Sequence, residues 1–423
     1  MGQKTTNNVF SGKKIIVGIT GSIAAYKALF LIRELVRMGA EVFPVLTPSA
    51  TNFVTDLTAS NLSRNTAIVD MFDRTYQNQG AWHINLVHKC DLMIIAPCSA
   101  TTLGKIANGI CDNALVTLAT ALPKQVPLLI APAMDTSMWE NQATQRNVKT
   151  LLEQGIVIIP PAKGELSSGL YGEGRLPDLP VLLDYIQTYL YLAEINPERK
   201  DNLLKIKGKN ILISAGPTQE KIDDVRFISN FSSGKMGYAI ASSACSLGGN
   251  VTLVSGPSCL TVEHNLNFVK VVSADDMFRM LKDEFDKNRI VIMSSAVADF
   301  TPKIKTSGKI KKEKQKELIL NLVKTPDILF ELGKQKTNQI LVGFALEESS
   351  VGLLNAWKKM RDKNCDLMVL NYLDRELSGF AGDFNTITIL KFKSENEMNV
   401  NYYEPMEKSL CALKILEEIG ELL

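Results

Sequence analysis

Histidine is almost missing from this chain: His83, His88 and His264 are three among 423 residues. The seven cysteines (Cys90, Cys98, Cys111, Cys245, Cys259, Cys365 and Cys411) are scattered and form no C-x-x-C pair. These two shortages argue against a zinc centre and a disulfide framework, and they predict a reduced, cytoplasmic protein. An excess of one charge is lacking as well. A net charge of +2 gives no electrostatic argument for nucleic acid or membrane as a partner. No apolar run approaches the roughly 18 residues that a membrane-spanning helix needs. The start, Met1-Gly2-Gln3-Lys4-Thr5-Thr6, fits a myristoylation pattern, but no basic cluster follows it and it reads as a disordered tail.

What is present is ordinary in bulk and specific in its loops. Apolar residues make up 45% and charged residues 22%, as in soluble globular proteins, and 423 residues exceed what one core holds. Two segments open alike: Lys13 to Gly21 and Lys209 to Gly216 each run an apolar strand into a glycine turn. Behind the first, Ala28, Leu31, Ile32 and Leu35 share one face of a helix; behind the second, Ile240, Ala244 and Leu247 do. Further strands are expected at 41–46, 92–96, 128–131 and 156–159, then at 251–254, 290–294, 340–344 and 367–370. Alternation of strands and helices predicts an α/β protein of two tandem doubly wound (Rossmann-like or flavodoxin-like) parallel-sheet domains. The charged stretch 192–207, with its Asn196-Pro197 turn signal, separates domains at 1–191 and 208–423.

Sites in such sheets lie beyond the carboxyl ends of the strands. In the first half those loops are small and hydroxylic. Gly21 allows a tight turn, and Ser22 can cap a helix or bond a phosphate; Ile23 follows. Thr47 and Ser49 follow the second strand, and Ser99, Ala100 and Thr101 the third. One such loop is a weak fingerprint, but three on one sheet edge point to a phosphorylated cofactor. Met134-Asp135, with Met138 and Trp139 nearby, suits a flat aromatic ligand with a polar handle, although on spacing alone Asp135 reads better as a helix cap. The stretch 164–175 holds four glycines and Arg175, too polar for a core element, and reads as a mobile flap.

In the second half Arg226 to Gly237 (RFISNFSSGKMG) lies between a strand-like and a helix-like run, so that backbone N–H groups can meet an anion. Lys235 is followed by Met236 rather than Ser or Thr, and the Walker A spacing is absent. A nucleotide site outside the P-loop class is the reading that remains. The basic run Lys309, Lys311, Lys312 reads by itself as a solvated loop.

The loops GITGSIAAYK, PCSATT, PAMDTSMW and GELSSGLYGEGR resemble those of the homo-oligomeric flavin-containing cysteine decarboxylases. AGPTQEKIDDVRFISNFSSGKMG, SSAVADF and KIKK resemble phosphopantothenate–cysteine ligase. In that order they resemble the bacterial bifunctional coenzyme A biosynthesis proteins over nearly the whole chain. The resemblance implies FMN at Gly21, Ser22, Ile23, Thr47, Ser49, Ser99, Ala100, Thr101 and Met134, with His83 as the active-site histidine and Arg175 on the substrate. It implies that the cysteinyl group is oxidised to a thioaldehyde, carbon dioxide leaves, and hydride returns to the enethiol.

For the ligase it implies 4′-phosphopantothenate, cysteine and CTP as substrates, joined through an acyl-cytidylate. Asn230 would serve the first step and Lys309 the second. The nucleotide would meet Ser232, Ser233, Gly234, Gly237, Met293, Ser294, Ser295, Asp299, Lys309, Pro326, Asp327, Ile328, Leu329 and Phe344. Lys359 and Lys363, four residues apart on one helix face, would face the triphosphate, and Asp299 or Asp327 would hold Mg2+. Trimers of the decarboxylase half and dimers of the ligase half would build a homo-oligomeric dodecamer.

Two residues depart from the resembled pattern: Asp135 stands in place of an asparagine, and Ser168 in place of the flap cysteine that donates a proton. A hydroxyl is a far weaker acid than a thiol. Asp135, protonated in a dry pocket, is then the expected donor. Two rivals follow: an oxidative decarboxylase that releases an enethiol, and a non-catalytic FMN-binding regulatory domain.

Overall fold

The computed structural model describes residues 8–73, 80–311, 317–373, 382–394 and 397–423. The chain divides into two compact units, 8–195 with 263–265, and 196–262 with 266–423.

The first unit carries β1 (Lys14–Ile19), α1 (Ala25–Arg37), β2 (Glu41–Leu46), α2 (Asp56–Ser63), α3 (Trp82–Lys89), β3 (Leu92–Cys98), α4 (Ala100–Ala107), α5 (Ala114–Ala121), β4 (Leu128–Pro132), α6 (Thr136–Trp139), α7 (Gln142–Glu153) and β5 (Val157–Ile158). The hairpin β6 (Ala162–Glu165) and β7 (Tyr171–Arg175) follows, then α8 (Leu179–Glu194). The five strands β1 to β5 pair in parallel in the order 2-1-3-4-5, the flavodoxin-like winding. Strands buried on both faces read as unbroken apolar runs, as in KIIVGI and LMIIAPC. Ala28, Leu31, Ile32 and Leu35 of α1 are buried against that sheet, as their spacing predicts.

The second unit opens with α9 (Pro197–Leu204), capped by Asn196 through the Arg199 N–H, so part of the supposed linker is a helix. Its sheet strands are β8 (Asn210–Ala215), β11 (Asn250–Ser255), β12 (Asn267–Lys270), β13 (Ile290–Met293), β16 (Ile340–Glu347), β17 (Leu367–Tyr372), β19 (Ile387–Ser394) and β20 (Glu397–Tyr402). They lie in the order 12-11-8-13-16-17-19-20. The first six are parallel in the Rossmann order, with the reversal between β8 and β13. β19 and β20 are antiparallel, an extension of the sheet that the expected all-parallel winding did not include. Two small ribbons pair β9 (Gln219–Lys221) with β10 (Phe227–Ser229), and β14 (Phe300–Pro302) with β15 (Leu322–Lys324). Helices α10 (Lys235–Ser246), α11 (Ala274–Phe285), α12 (Ile328–Gln335), α13 (Gly352–Asp362) and α14 (Lys408–Glu421) complete the unit with the short pair β18 (Phe384–Asn385) and β21 (Met406–Glu407). Among the described residues no helix is long and apolar enough to cross a membrane.

Candidate active sites

In the first unit the three hydroxyl-bearing loops meet at the β1/β3 reversal. Thr20, fully buried, donates its hydroxyl to Pro97 O at 2.9 Å and accepts the Ser99 N–H at 2.8 Å. A Cβ on Gly21 would lie 2.7 Å from Ser49 Oγ, so glycine is what lets the first loop touch the second. Thr47 and Ser49 hydroxyls stand 3.1 Å apart. Ser99 caps α4 by accepting the Thr102 N–H, which leaves Ala100 and Thr101 in the first turn. Ser22 does not cap α1, whose N-terminal flanking residue is Ala24; its hydroxyl accepts the Ala24 N–H at 3.3 Å. A donor set of hydroxyls and helix-terminal N–H groups around a glycine turn fits a phosphate.

Next to these loops lies a cavity of about 440 Å³ whose lining includes Ser22, Ile23, Lys27, Met134, Asp135 and Arg175. The flap expected from the glycines is an antiparallel hairpin docked along residues 134–136. Met134 N–H donates to Gly174 O at 2.9 Å, and Thr136 Oγ1 to Glu173 O at 2.7 Å. Gly174 has φ +142°, and a Cβ on it would lie 2.2 Å from Met134 O, so no side chain fits there. At the hairpin tip Ser168 donates its hydroxyl to Asp135 Oδ2 at 2.7 Å.

Asp135 is therefore not the protonated acid its sequence context led us to expect. It caps α6, accepting the Ser137 N–H at 3.1 Å, and the Ser168 hydroxyl with that N–H holds its carboxyl below the usual carboxylate range. Two donors aimed at one carboxylate stabilise the ionised form, which has no proton to give. Cys98 is no substitute: it is fully buried, and burial pushes its thiol up.

Arg175 makes two bonds to Asp178, at 2.9 and 2.8 Å, and Lys27 reaches the same carboxylate at 2.9 Å. Burial pushes Asp178 up, but the Lys27 and Arg175 bonds outweigh it and hold the group low. Sequence reading missed Lys27 and Asp178; the i, i+3 spacing from Arg175 was the one available signal. His83 stands half-buried in the first turn of α3, its ring edge-on to Trp82 at 5.8 Å, and does not line the cavity. His88 is exposed, as expected.

In the second unit the cradle sits at the β8/β13 reversal. Gly234, with φ +82°, opens α10 and lies against Gly216. A Cβ on Gly237 would stand 2.6 Å from both Ala215 Cβ and Ser294 Oγ, so this glycine lets the helix start abut both strand ends. Ser232 and Ser233 hydroxyls accept the Gly234 and Lys235 N–H groups at 3.3 and 3.5 Å. Ser294 donates to Ser214 O at 2.6 Å, and Ser295 shares a 2.8 Å bond with the Ser214 hydroxyl. Asn230 donates its amide to Ala296 O and Val297 O at 3.1 Å each, which brings its loop onto the one that leads to Asp299. Thr325 binds Ala298 O at 2.6 Å and Asp299 O at 3.0 Å, placing Pro326 and Asp327 beside that loop. Met293 is buried and paired in register with Gly343, next to half-buried Phe344, while Leu329 packs over Gly343.

Three expectations change. Ile328 is a core residue, so it can offer a nucleotide only its backbone. Lys359 and Lys363 are ion-paired, the first to Glu347 at 2.6 Å and the second to Asp327 at 2.9 Å. Asp327 also caps α12 through the Phe330 N–H, and among the described residues no group of three or more His, Cys, Asp or Glu gathers as a metal site. Lys309 is exposed on a loop tied to residues 222–226, and Lys312 lies outside the described residues. Asp223, buried, accepts from Val225, Arg226 and Ile310 N–H groups and from the Arg226 side chain. Burial pushes its carboxyl up; those donors hold it below the usual range.

The flavoprotein family profile matches residues 3–190, and that of the DNA/pantothenate metabolism flavoprotein C-terminal domain matches 206–423. Folds and strand-end sites thus define a tandem flavoprotein of pantothenate metabolism. The coenzyme A biosynthesis bifunctional protein CoaBC of Bacillus subtilis (strain 168) is 39% identical over 416 residues, 98% of each chain. A cysteine/cysteine sulfinic acid decarboxylase from an unknown prokaryotic organism is 41% identical over 86% of this chain and 98% of its own. A crystal structure of the C-terminal domain of a CoaBC protein is 38% identical, covers 51% of this chain and 96% of that one, and superposes with a TM-score of 0.43. The chain belongs to the family of bifunctional coenzyme A biosynthesis proteins. By that membership it is a bifunctional protein of coenzyme A biosynthesis whose first half is a flavoprotein domain.

Proposed function

We propose that the second unit activates 4′-phosphopantothenate with CTP as an acyl-cytidylate and joins it to cysteine, and that the first unit decarboxylates the product to 4′-phosphopantetheine. The observation that carries this reading is the placement of both sites at the strand-order reversals, each with a glycine that brings a strand end against a second loop. FMN, when bound, supplies the two-electron oxidation and its reversal. Gly21, Ser22, Thr47, Ser49 and the N-terminus of α4 would hold its phosphate, and Met134 would lie along the cavity wall. Lys27 and Arg175, fixed by Asp178, give that cavity a cationic wall for an anionic substrate.

In the ligase, Asn230, Ser232, Ser233 and the N-terminus of α10 bind and orient the triphosphate. Mg2+ fits only as an ion carried on the triphosphate, since it takes one or two carboxylates plus phosphates. Asp299 is exposed for that task, whereas Asp327 is held by Lys363. A homo-oligomer is supported by His83 lying outside the cavity lining and by exposed Ile23, Tyr26 and Phe30 at the start of α1, which together favour a site completed by a second copy. Trimeric decarboxylase and dimeric ligase halves would give a dodecamer. Seven free thiols support a cytoplasmic location.

Incubation with phosphopantothenate, cysteine and CTP, followed by mass analysis, tests the whole reading. A product two hydrogens lighter than phosphopantetheine would mean enethiol release, and bound FMN without carbon dioxide release would mean a regulatory domain. Pyrophosphate release at equal rates with ATP would sink the choice of CTP.

One observation favours a second reading of the first unit. An ionised Asp135 at the cavity offers a counter-charge for an ammonium group, which free cysteine has and phosphopantothenoylcysteine lacks. The relative named as a cysteine/cysteine sulfinic acid decarboxylase supports that alternative. Comparing kcat/KM for the two thiols decides: a higher value for phosphopantothenoylcysteine removes the second reading.

A further inference from the structure

Lys309 stands on a segment that hangs from one neighbour. Three alternate backbone N–H groups donate to a single short stretch: Thr306 to Ile222 O at 3.1 Å, Gly308 to Asp224 Oδ2 at 2.7 Å, and Ile310 to Asp223 Oδ2 at 3.1 Å. The Arg226 guanidinium adds a long contact to Ile310 O at 3.5 Å. Among the described residues, 304–311 makes its hydrogen bonds to 222–226 alone. Gly308, at φ +78°, makes the turn just before Lys309. The residues on either side of Lys309 are thus gripped by two successive carboxylates.

The grip is rigid where it matters. Asp223 is 2% exposed, and its Oδ1 accepts the Val225 and Arg226 N–H groups at 2.8 and 2.7 Å. Its Oδ2 takes the Arg226 guanidinium at 2.6 Å together with the Ile310 N–H. A buried carboxylate with four donors has one orientation available. The same stretch runs through β10 into Asn230, whose amide is fixed on Ala296 and Val297. One segment, 222–230, therefore sets the places of both residues assigned to the two ligase steps.

We infer that Asp223 and Asp224 are positioning residues for the second ligase step, holding Lys309 where cysteine attacks the acyl-cytidylate. The inference rests on the role proposed above for Lys309. In that step the cysteine nitrogen bonds to the acyl carbon, the acyl C–O bond to CMP breaks, and one proton leaves the nitrogen for solvent. The Lys309 ammonium lies by the departing phosphate and offsets its charge. Formation of the acyl-cytidylate, which releases pyrophosphate, does not use Lys309 and so does not use the grip.

That separation supplies the test. Asp224 is exposed, so Asp224→Ala keeps the fold while removing the Gly308 bond. Quenched-flow measurement should show an unchanged pyrophosphate burst and amide formation slowed about tenfold, the scale of one hydrogen bond in a transition state. Asp224→Asn keeps an oxygen acceptor and should restore the rate. Asp223→Asn turns a donor towards Ile310 and should slow the same step further. Added to Lys309→Gln, Asp224→Ala should cost nothing more. Equal loss of burst and amide formation, or additive losses in the double variant, overturns the inference. So does normal amide formation in Asp224→Ala while Lys309→Gln is impaired. Normal amide formation in Lys309→Gln itself overturns the role of Lys309 instead, and the grip's catalytic meaning with it.

Discussion

In the first unit the loops around the candidate phosphate site hold one another through neutral hydrogen bonds: Thr20 to the Pro97–Ser99 loop, Thr47 to Ser49, and the hairpin backbone to Met134 and Thr136. Charge enters there at Asp135 and at Asp178 with Lys27 and Arg175. In the second unit three lysines of or beside the site stand in ion pairs: Lys359 with Glu347, Lys363 with Asp327, and Lys235, beside the cradle, with Asp383. The difference matches what each site receives. A flavin remains bound from turnover to turnover, and a cradle shaped in advance suits it. A triphosphate arrives and leaves in every cycle. Lysines gathered for it alone would repel one another between cycles, and internal carboxylates offset that repulsion.

The sharpest way to break this comparison is to fill each cradle. Gly174→Ala places a Cβ 2.2 Å from Met134 O and should lower decarboxylation of supplied phosphopantothenoylcysteine about 100-fold, with ligation unchanged. Gly237→Val meets Ala215 and Ser294 at 2.6 Å or closer and should lower ligation about 100-fold, with decarboxylation unchanged. Both variants should remain folded by circular dichroism. If either change removes both activities from a folded protein, the two sites are not separable in the way their internal bonding implies.

A smaller effect is expected at Asp178, where the first site also uses ion pairs. Asp178→Asn should raise KM for phosphopantothenoylcysteine about tenfold, because Lys27 and Arg175 lose the carboxylate that orders them. Folded Asp178 titrates below its unfolded value. Its stabilisation is therefore complete above about pH 4 and is lost as pH falls through the lower folded value. Thermal melting of the wild type should decline over that acid window, and the variant should decline less. An identical decline in both would show that the cluster contributes nothing to folding.

Asp135 offers a finer test. As an ionised acceptor it has no titration near neutrality, so Asp135→Asn should change the height of the decarboxylase pH profile about threefold and leave its shape between about pH 5 and 8 intact. A lost acid limb would restore the protonated-donor role that the hydrogen bonds argue against.

What the sequence made legible was whatever depends on local pattern. The apolar runs at 14–19 and 92–98 announced buried parallel strands, and the α1 spacing announced its buried face. The glycines marked the close approaches, though not what they approach. Asp135 was misread because its partner, Ser168, lies 33 residues away at the tip of a hairpin whose docking depends on two glycines and a backbone carbonyl. Asp223 and Asp224 drew no notice because the partners that tie them to the Lys309 loop lie 84 to 87 residues away and are main-chain N–H groups, which every residue but proline has. β19 and β20 were missed for a similar reason: antiparallel pairing at the edge of a parallel sheet is set by register with β17.

The smallest expected effects lie at Lys359 and Lys363, where they discriminate best. Both pairs are partly exposed, with Lys359 46% accessible and Asp327 50%, so the ion pairs themselves should be worth at most about 1 kcal/mol. If the pairs exist to hold lysines ready for a triphosphate, Lys359→Met and Lys363→Met should leave the melting temperature nearly unchanged and raise KM for CTP about threefold. That increase should shrink at high salt, because a screened charge contributes less to begin with. Burial pushes Glu347 up, but its bonds from Lys359 and Asn355 hold it below the usual range, so removing Lys359 leaves a half-buried carboxylate short of one donor. Lys359→Met is then the more destabilising of the two, and Lys363→Met the cleaner probe of binding. A stability loss without any change in KM would make both pairs struts of the fold, and the contrast between a cradle shaped in advance and one neutralised in advance would fail on the ligase side.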